Sequence, residues 1–427
     1  LQGNGGGSWS KWRPITVTAL ADALPDGYSV KFVALGTDAA SIFSGSLPSK
    51  DDVRIINTTG TTTTALTSNI TSTSTSIAVN SVTGFTQTGM VIIDSERIGY
   101  QGISGTTLQN CIRGSSGTTA ASHTAAATVT TVQEMERYIE TFTSSNVTIW
   151  FKLREDIATS TATSTTYILY YGNGNATGAP ANGKNVYAFY DDFSTDTSAN
   201  YVFSGSQGTK VYDVANQYLK QTNNASLQYN LVHSSYLLPS SYVYQASVKL
   251  TDDAPNRRHA GVLSNFLTTA ETGNRATHLD NLFQMGTWLN GVGDDSMVDV
   301  VDGGVTPAAG WITNRIYRNS VSGMFRFWAS NGAQSVTVDN TSTLYTAGSI
   351  GLHSYGCIGY YDNLIVRLWV DGDTITIDGN FASAGAEQTL GMGSGLLAVN
   401  AGGTAGSALT INQAGTGKII DFQKSGS

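Results

Sequence analysis

Charge is the scarcest ingredient of this 427-residue chain. Asp, Glu, Lys and Arg make up 13% of it, about half the share of an ordinary soluble domain, and the formal net charge is −8. Proteins that neutralise phosphates carry clustered Lys and Arg, so nucleic acid is excluded as the main partner. Long apolar runs are missing as well. The densest, Met90-Val91-Ile92-Ile93 and Ile168-Leu169-Tyr170-Tyr171, have strand length, well short of the roughly 18 residues that cross a bilayer, and no membrane span is expected. With two cysteines, Cys111 and Cys357, the chain has no disulfide framework, and buried free thiols are expected. It begins at Leu1 without a hydrophobic leader, so export has to be inferred from other features.

Ser, Thr, Gly and Asn fill the place of the missing charge. The 47 Gly make the chain turn-rich, and 20 Tyr, 14 Phe and 7 Trp are too many aromatics for disorder. Alternating apolar residues recur throughout in short runs, which predicts an all-β, multidomain protein.

Composition divides the chain. Residues 1–12 read as a tail. Strand alternation then begins at Arg13-Pro-Ile-Thr-Val, continues through Tyr28-Ser-Val-Lys-Phe and Asp52-Val-Arg-Ile-Ile, and resumes at Asn146-Val-Thr-Ile-Trp-Phe and Tyr167-Ile-Leu-Tyr-Tyr. This predicts one β-sandwich built from 13–60 and 130–186. Between its halves, 61–129 reads as a Thr/Ser linker followed by a small inserted β-module with closely spaced Gly. A jelly roll is expected over 187–371, where Tyr242, Tyr244, Ala246, Val248 and Leu250 fall on one face of a strand. Residues 372–427 form a strand-rich extension in which Leu397-Ala-Val-Asn is echoed by Leu409-Thr-Ile-Asn. A piece of that size cannot bury both faces of its strands alone, so it must lie on something else.

Particular residues carry resemblances. Trp12-x-Pro-Ile-Thr-Val, Asp51-Asp-Val-Arg-Ile, Val147-Thr-Ile-Trp-Phe-Lys-Leu and Tyr170-Tyr-Gly-Asn resemble the domain of unknown function 2341, which implies a β-sandwich of an exported microbial protein. The opening Asp191-Asp192-Phe193, the Trp311…Arg315 strand, Phe327-Trp328 and the closing Tyr361-Asp-Asn resemble concanavalin A-like/laminin G-like jelly rolls. The inserted piece, with Glu96, Tyr100, Arg113-Gly114, Thr118-Thr119 and His123, resembles a module of phage tail-fibre proteins.

Candidate sites follow. The stretch 187–371 holds one glutamate, Glu271, and the chain has no G-x-S-x-G elbow and no H-E-x-x-H helix, so no enzymatic activity is expected. The five histidines, His123, His233, His259, His278 and His353, are isolated in sequence and read as polar surface or satisfied core. Asp191, Asp192 and Asp362 open and close the jelly roll. They would suit a structural Ca²⁺, although turn-capping explains the same residues. Asp294, Asp295, Asp299 and Asp302 read as an acidic loop. Trp288 with Asn290, ahead of a Gly-Asp-Asp loop, is the candidate for stacking on a sugar ring. Trp150, Trp328 and Trp369 are expected in the core. Sequons at Asn57, Asn69, Asn146, Asn175, Asn224 and Asn340 permit glycosylation.

Two functions fit this inventory. One is an extracellular structural subunit of a surface filament, its partner a second copy of itself. Assembly would be head to tail by terminal strand exchange, with Leu409, Ile411, Ile420 and Phe422 as donor residues and Ile15 and Val17 as runners-up. The other is an adhesin or viral tail-fibre protein whose jelly roll recognises cell-surface glycans.

Overall fold

A computed structural model describes residues 9–19, 23–58, 62–87, 89–115, 118–158, 163–204, 208–222, 228–251, 259–268, 270–279, 282–289, 293–301, 310–339, 345–370, 382–384 and 388–389. Strands dominate it, as the alternation requires, and they assemble into five sheets.

In the first sandwich one continuous sheet has the order Gln133–Met135, Arg54–Asn57, Thr163–Tyr171, Lys11–Thr18, Ala382–Ala384, Ser29–Leu35, Asn146–Lys152, Arg137–Phe142. The period of two sends Ile15, Val17, Val30, Phe32, Ile149 and Phe151 into one core. The helix Gly36–Gly45 adds Ala39 and Ile42 to it. The first strand starts at Lys11 rather than Arg13. Trp9, assigned to the tail, is buried and donates its indole N–H to the Asp52 carbonyl at 2.8 Å. The Asp51-Asp52-Val53-Arg54 motif ties loops together. Asp52 accepts from the amides of Leu47 (2.9 Å) and Gly172 (2.8 Å), and Arg54 pairs with Glu134 at 2.5 Å.

The seam between Lys11–Thr18 and Ser29–Leu35 is closed from the far end of the chain. Ala382–Ala384 runs antiparallel to the first strand and parallel to the second, and Gln388–Thr389 adds to Lys11 and Trp12. Of the C-terminal extension, the described residues 382–384 and 388–389 thus pair with the first sandwich. Ile15 and Val17, the runner-up donor residues, are fully buried in their own sandwich, in a strand paired on both sides. Leu409, Ile411, Ile420 and Phe422 lie outside the described residues.

The inserted module leaves the first sandwich after Asn57 and returns at Gln133, which pairs with Asn57 across the sheet. It holds a five-stranded and a three-stranded sheet around Leu66, Ile70, Ile77, Val91, Ile98 and Val129. The Thr/Ser tract read as a linker is part of this fold. Thr63–Ala65 pairs with Thr128–Thr131, and Leu66 and Ile70 are core, because two apolar residues among the threonines are enough to seat the segment.

The jelly roll stacks two sheets. The first has the order Thr209–Asp213, Tyr218–Thr222, Ile358–Leu368, Tyr242–Thr251, Ile312–Arg318, Phe325–Ser330, Ser335–Asp339, with Phe189–Asp191 also on Ile358–Leu368. The second runs Tyr201–Ser204, Gln228–Leu237, Ser349–Tyr355, His259–Leu267, Thr272–Leu279, Leu282–Leu289, Gly293–Val301. Tyr242, Tyr244, Ala246, Val248 and Leu250 all point into the core between them. The intervening residues Val243, Gln245, Ser247 and Lys249 consequently face outward. Asp294, Asp295 and Asp299 belong to the strand Gly293–Val301 rather than to a loop, and Asp302 lies outside the described residues. No helix among the described residues is long and apolar enough to cross a membrane.

Candidate functional site

The outward face of the first jelly-roll sheet is where the aromatic and charged side chains of this low-charge chain gather. At one end the first sandwich leans on it. Trp150, Val186, Tyr187 and Ile365 form a buried cluster with Tyr138 and Tyr190. Trp150 is thus buried, but between modules rather than in the sandwich core, because its neighbours Ile149 and Phe151 take the inward positions. Trp328 and Trp369 are buried as expected, in a separate cluster with Val243 and Tyr317.

Beside this contact lies a cleft of about 190 Å³. The sandwich contributes Tyr138, Glu140 and Trp150, the connecting segment Tyr187, and the jelly-roll sheet Val243, Gln245, Ser247, Asn363, Ile365 and Arg367. A bulge shapes one wall. The register between Tyr242–Thr251 and Ile358–Leu368 slips between Gln245 and Ser247, opposite Asn363, whose φ of 52° is left-handed. Bulges re-aim side chains, and this one turns Asn363 to the cleft. Trp150 donates its indole N–H to Glu140 at 3.0 Å. Its ring has the Lys31 ammonium at 5.4 Å and the Arg367 guanidinium at 5.6 Å. Gln245 accepts from Arg315 at 2.6 Å, and the Arg315 guanidinium lies 4.6 Å from the Trp328 ring. The amide NH₂ of Gln245 has no acceptor among the described residues.

Further along the same face, Tyr360 stands in register between Lys220 and Lys249, with their ammonium groups 5.7 and 5.6 Å from its ring centre. Tyr218 meets Tyr360 edge-on at 5.3 Å and Trp311 at 5.9 Å, and Trp311 is 39% exposed. No single motif announces these residues, because they come from three strands and a loop. The signal available in sequence was the outward half of each alternation, which holds Tyr and Lys where Ser and Thr are the rule.

The sequence-derived sites are placed as follows. Asp191 accepts from the Phe193 amide (3.1 Å), the Thr197 hydroxyl (2.7 Å) and the Tyr201 hydroxyl (2.9 Å). Asp192 accepts from the Ser194 amide and the Tyr190 hydroxyl. Burial, reinforced by the nearby Asp192 and Asp191, pushes the Asp362 carboxyl up to about 6. Calcium needs converging oxygen ligands, whereas these carboxylates meet N–H and O–H donors, so the surroundings fit turn-capping and do not fit the cation. Among the described residues no group of three or more His, Cys, Asp or Glu is arranged to hold a metal. Trp288 lies in the strand Leu282–Leu289, with its backbone paired to Gly273 and Asp294, on the sheet opposite the cleft. Asn290 lies outside the described residues. Asn57 is 1% exposed, which leaves no room for a glycan there. Asn69 and Asn175 are exposed and Asn146 half-buried, while Asn224 and Asn340 lie outside the described residues. Cys111 and Cys357 form no disulfide and are buried in separate cores, and burial pushes the Cys111 thiol up to about 11.

His123 is not isolated in space. Its ring nitrogens lie 2.7 Å from Asp94 and 2.7 Å from Glu96. Glu96 also receives Arg113 at 2.7 and 2.9 Å and the amides of Gly114 (2.8 Å) and Ala121 (3.0 Å). Burial alone would raise the Glu96 carboxyl, but these donors outweigh it and hold it at about 2. Gly114 has a φ of 61°, and a Cβ there would meet the Thr118 carbonyl at 2.9 Å. The motif residues of the inserted module are thus one internal network, with every acceptor of Glu96 used inside the fold.

Comparison with known proteins agrees in part. The family described as Domain of unknown function (DUF2341) matches residues 126–203, a span that includes Asn146–Lys152 and runs into the jelly roll. Among curated proteins no relative matches. Solved structures similar to this chain include a carbohydrate-binding module from Bacillus subtilis (12% identity, 39% of this chain and 95% of that one, TM-score 0.33). Another is a Bacillus subtilis protein of unknown function with a galectin-like fold (10%, 43% and 96%, 0.34). A third is lectin II from Ulex europaeus (9%, 42% and 97%, 0.31). The chain is an all-β protein with β-sandwich and jelly-roll architecture.

Proposed function

We propose that this protein binds carbohydrate through the cleft between the first sandwich and the jelly roll. The observation that carries this reading is the lining: aromatic rings of Trp150, Tyr138 and Tyr187 beside a carboxylate, two amides, a hydroxyl and a guanidinium. A sugar ring offers an apolar face to stack and hydroxyls that both donate and accept, and this lining answers both needs. The volume is below the 300–1,000 Å³ range of pockets for drug-sized ligands, which suits one sugar residue of a longer chain. Glu140 is the single carboxylate among the lining residues, and glycoside hydrolysis uses a pair, so the cleft binds rather than cleaves. A glycan ligand would put the protein outside the cell or on a surface that meets one.

The test is a glycan array with the full chain and with Ser247→Trp, which fills the cleft from a half-buried position without removing a core side chain. Binding to a defined set of glycans, lost in Ser247→Trp at unchanged melting temperature, is the expected result. Undiminished binding by that variant would remove the cleft from the account.

A second reading, assembly by strand exchange, rests on the seam closed by Ala382–Ala384. A strand that fills a slot in its own chain can fill the same slot in a neighbour. Thr16 and Ser383 are cross-strand partners, so Thr16→Cys with Ser383→Cys reports the donor. Covalent dimers and ladders on oxidation support exchange; cross-linked monomers alone refute it.

A further inference from the structure

We propose that the Trp311–Tyr218–Tyr360 platform is a second binding site on the same face, and that it takes an acidic sugar, a pyranose carrying a carboxylate or sulfate. This deepens the carbohydrate reading and rests on it for the ligand class.

The platform is built, not scattered. Lys220, Tyr360 and Lys249 form one row across three adjacent strands, so backbone pairing fixes both ammonium groups beside the same ring, at 5.7 and 5.6 Å from its centre. Two ammonium groups brought to one ring concentrate positive charge that an anion can offset. Neither lysine has a carboxylate partner among the described residues. Asp213, hydrogen-bonded to Tyr218, is already taken by the amides of Ala215 and Asn216 at 3.1 and 2.9 Å. In a chain of net charge −8, a pair of cations over an aromatic surface with no carboxylate partner among the described residues is the exception. The rings supply the other half of recognition. Trp311 is 39% exposed, while edge contacts with Tyr218 and then Tyr360 hold the group in fixed order. An apolar sugar face stacks on the rings and its anionic substituent lies between the lysines. Charge complementarity thus names the occupant.

Lys249 is four residues from Gln245 on one strand, which sets the platform about 13 Å from the cleft at ~3.3 Å rise per residue. One extended polysaccharide can therefore touch both.

The experiment uses the full chain and oligosaccharides of polygalacturonate, with neutral cello-oligosaccharides alongside, titrated calorimetrically. Lys220→Gln with Lys249→Gln should weaken the acidic oligosaccharide about tenfold or more and leave any neutral ligand unchanged, and raising salt should weaken the wild type toward the variant. Trp311→Ala should lose a comparable factor for the acidic ligand. Unchanged affinity in the lysine variant, or equal loss for both ligands, overturns the proposal. Ser247→Trp separates the two readings. Loss of glycan binding there with an unaffected lysine variant leaves the cleft and removes the platform, whereas the reverse pattern removes the cleft and leaves the platform. Absence of binding to both oligosaccharides in the wild type overturns the platform, since polygalacturonate carries the chemistry it is assigned.

Discussion

The inserted module and the outward face of the jelly roll use the same scarce side chains to opposite ends. In the module, the side chains of Glu96, Arg113 and His123 are buried and spend their hydrogen bonds on one another, on Asp94 and on loop backbone. On the jelly roll, Lys220 and Lys249 flank a half-buried Tyr360 with no carboxylate partner among the described residues, and Gln245, Ser247 and Asn363 line an open cleft. A charge satisfied within the fold holds the fold, and a charge left facing solvent is available to a ligand. Partnership, rather than residue type, separates a structural motif from a site.

The largest effect should come from breaking the satisfied side. Removing one member of a buried ion pair costs about 3–5 kcal/mol, so Arg113→Ala should unfold the inserted module, seen as proteolytic cutting within 62–131, while glycan binding persists. The same network gives an acid dependence. The folded carboxyl of Glu96 sits at about 2 against 4.5 ordinarily, so its contribution is full above pH 4.5 and is lost as pH falls from there toward 2. Melting temperatures across that range should drop for the wild type and flatten in Glu96→Gln.

Next in size is the contact between modules. Trp150→Ala removes a buried indole shared by the cleft and the sandwich–jelly roll junction, and should cost about 3 kcal/mol together with glycan binding. Trp150→Phe, which keeps a ring but not the indole N–H bound to Glu140, should restore most of the stability. If stability recovers and binding does not, the indole orders the site rather than merely filling it.

The smallest effect concerns Asp362. Its folded carboxyl is raised to about 6 from 3.8, so the stability its neutral form supplies is complete below pH 3.8 and is lost as pH rises through 6. Asp362→Asn should therefore stabilise the protein by about 1 kcal/mol above pH 6, a figure reduced for partial exposure, and leave it unchanged in acid. Denaturant titrations at pH 4 and pH 7.5 check the sign.

Much of the architecture was legible because alternation is a local signal. Tyr242 to Leu250 announced the buried face of the central jelly-roll strand, and the opening Asp191 and closing Asp362 lie on paired strands, as expected of such a fold. The proposed site was less legible. Trp288 and Asn290 were selected by local composition, whereas the cleft joins Trp150 to Gln245 and Asn363 through a contact between modules and a bulge, neither of which leaves a local pattern. The Thr/Ser tract misled for a related reason: its composition is that of a linker, but Leu66 and Ile70 decide its fate by finding a core. Nor could one strand's period show that residues 382–384 and 388–389 return to pair with the first sandwich.

The central claim, that the outward face of the first jelly-roll sheet is the binding surface, is tested most directly by hydrogen–deuterium exchange of the full chain with and without a glycan found on the array. The account predicts slower exchange in Tyr242–Thr251, Ile358–Leu368 and Asn146–Lys152, with no change in His259–Leu267 or Leu282–Leu289. Protection confined to the strand that carries Trp288 would contradict it and return the site to the opposite sheet.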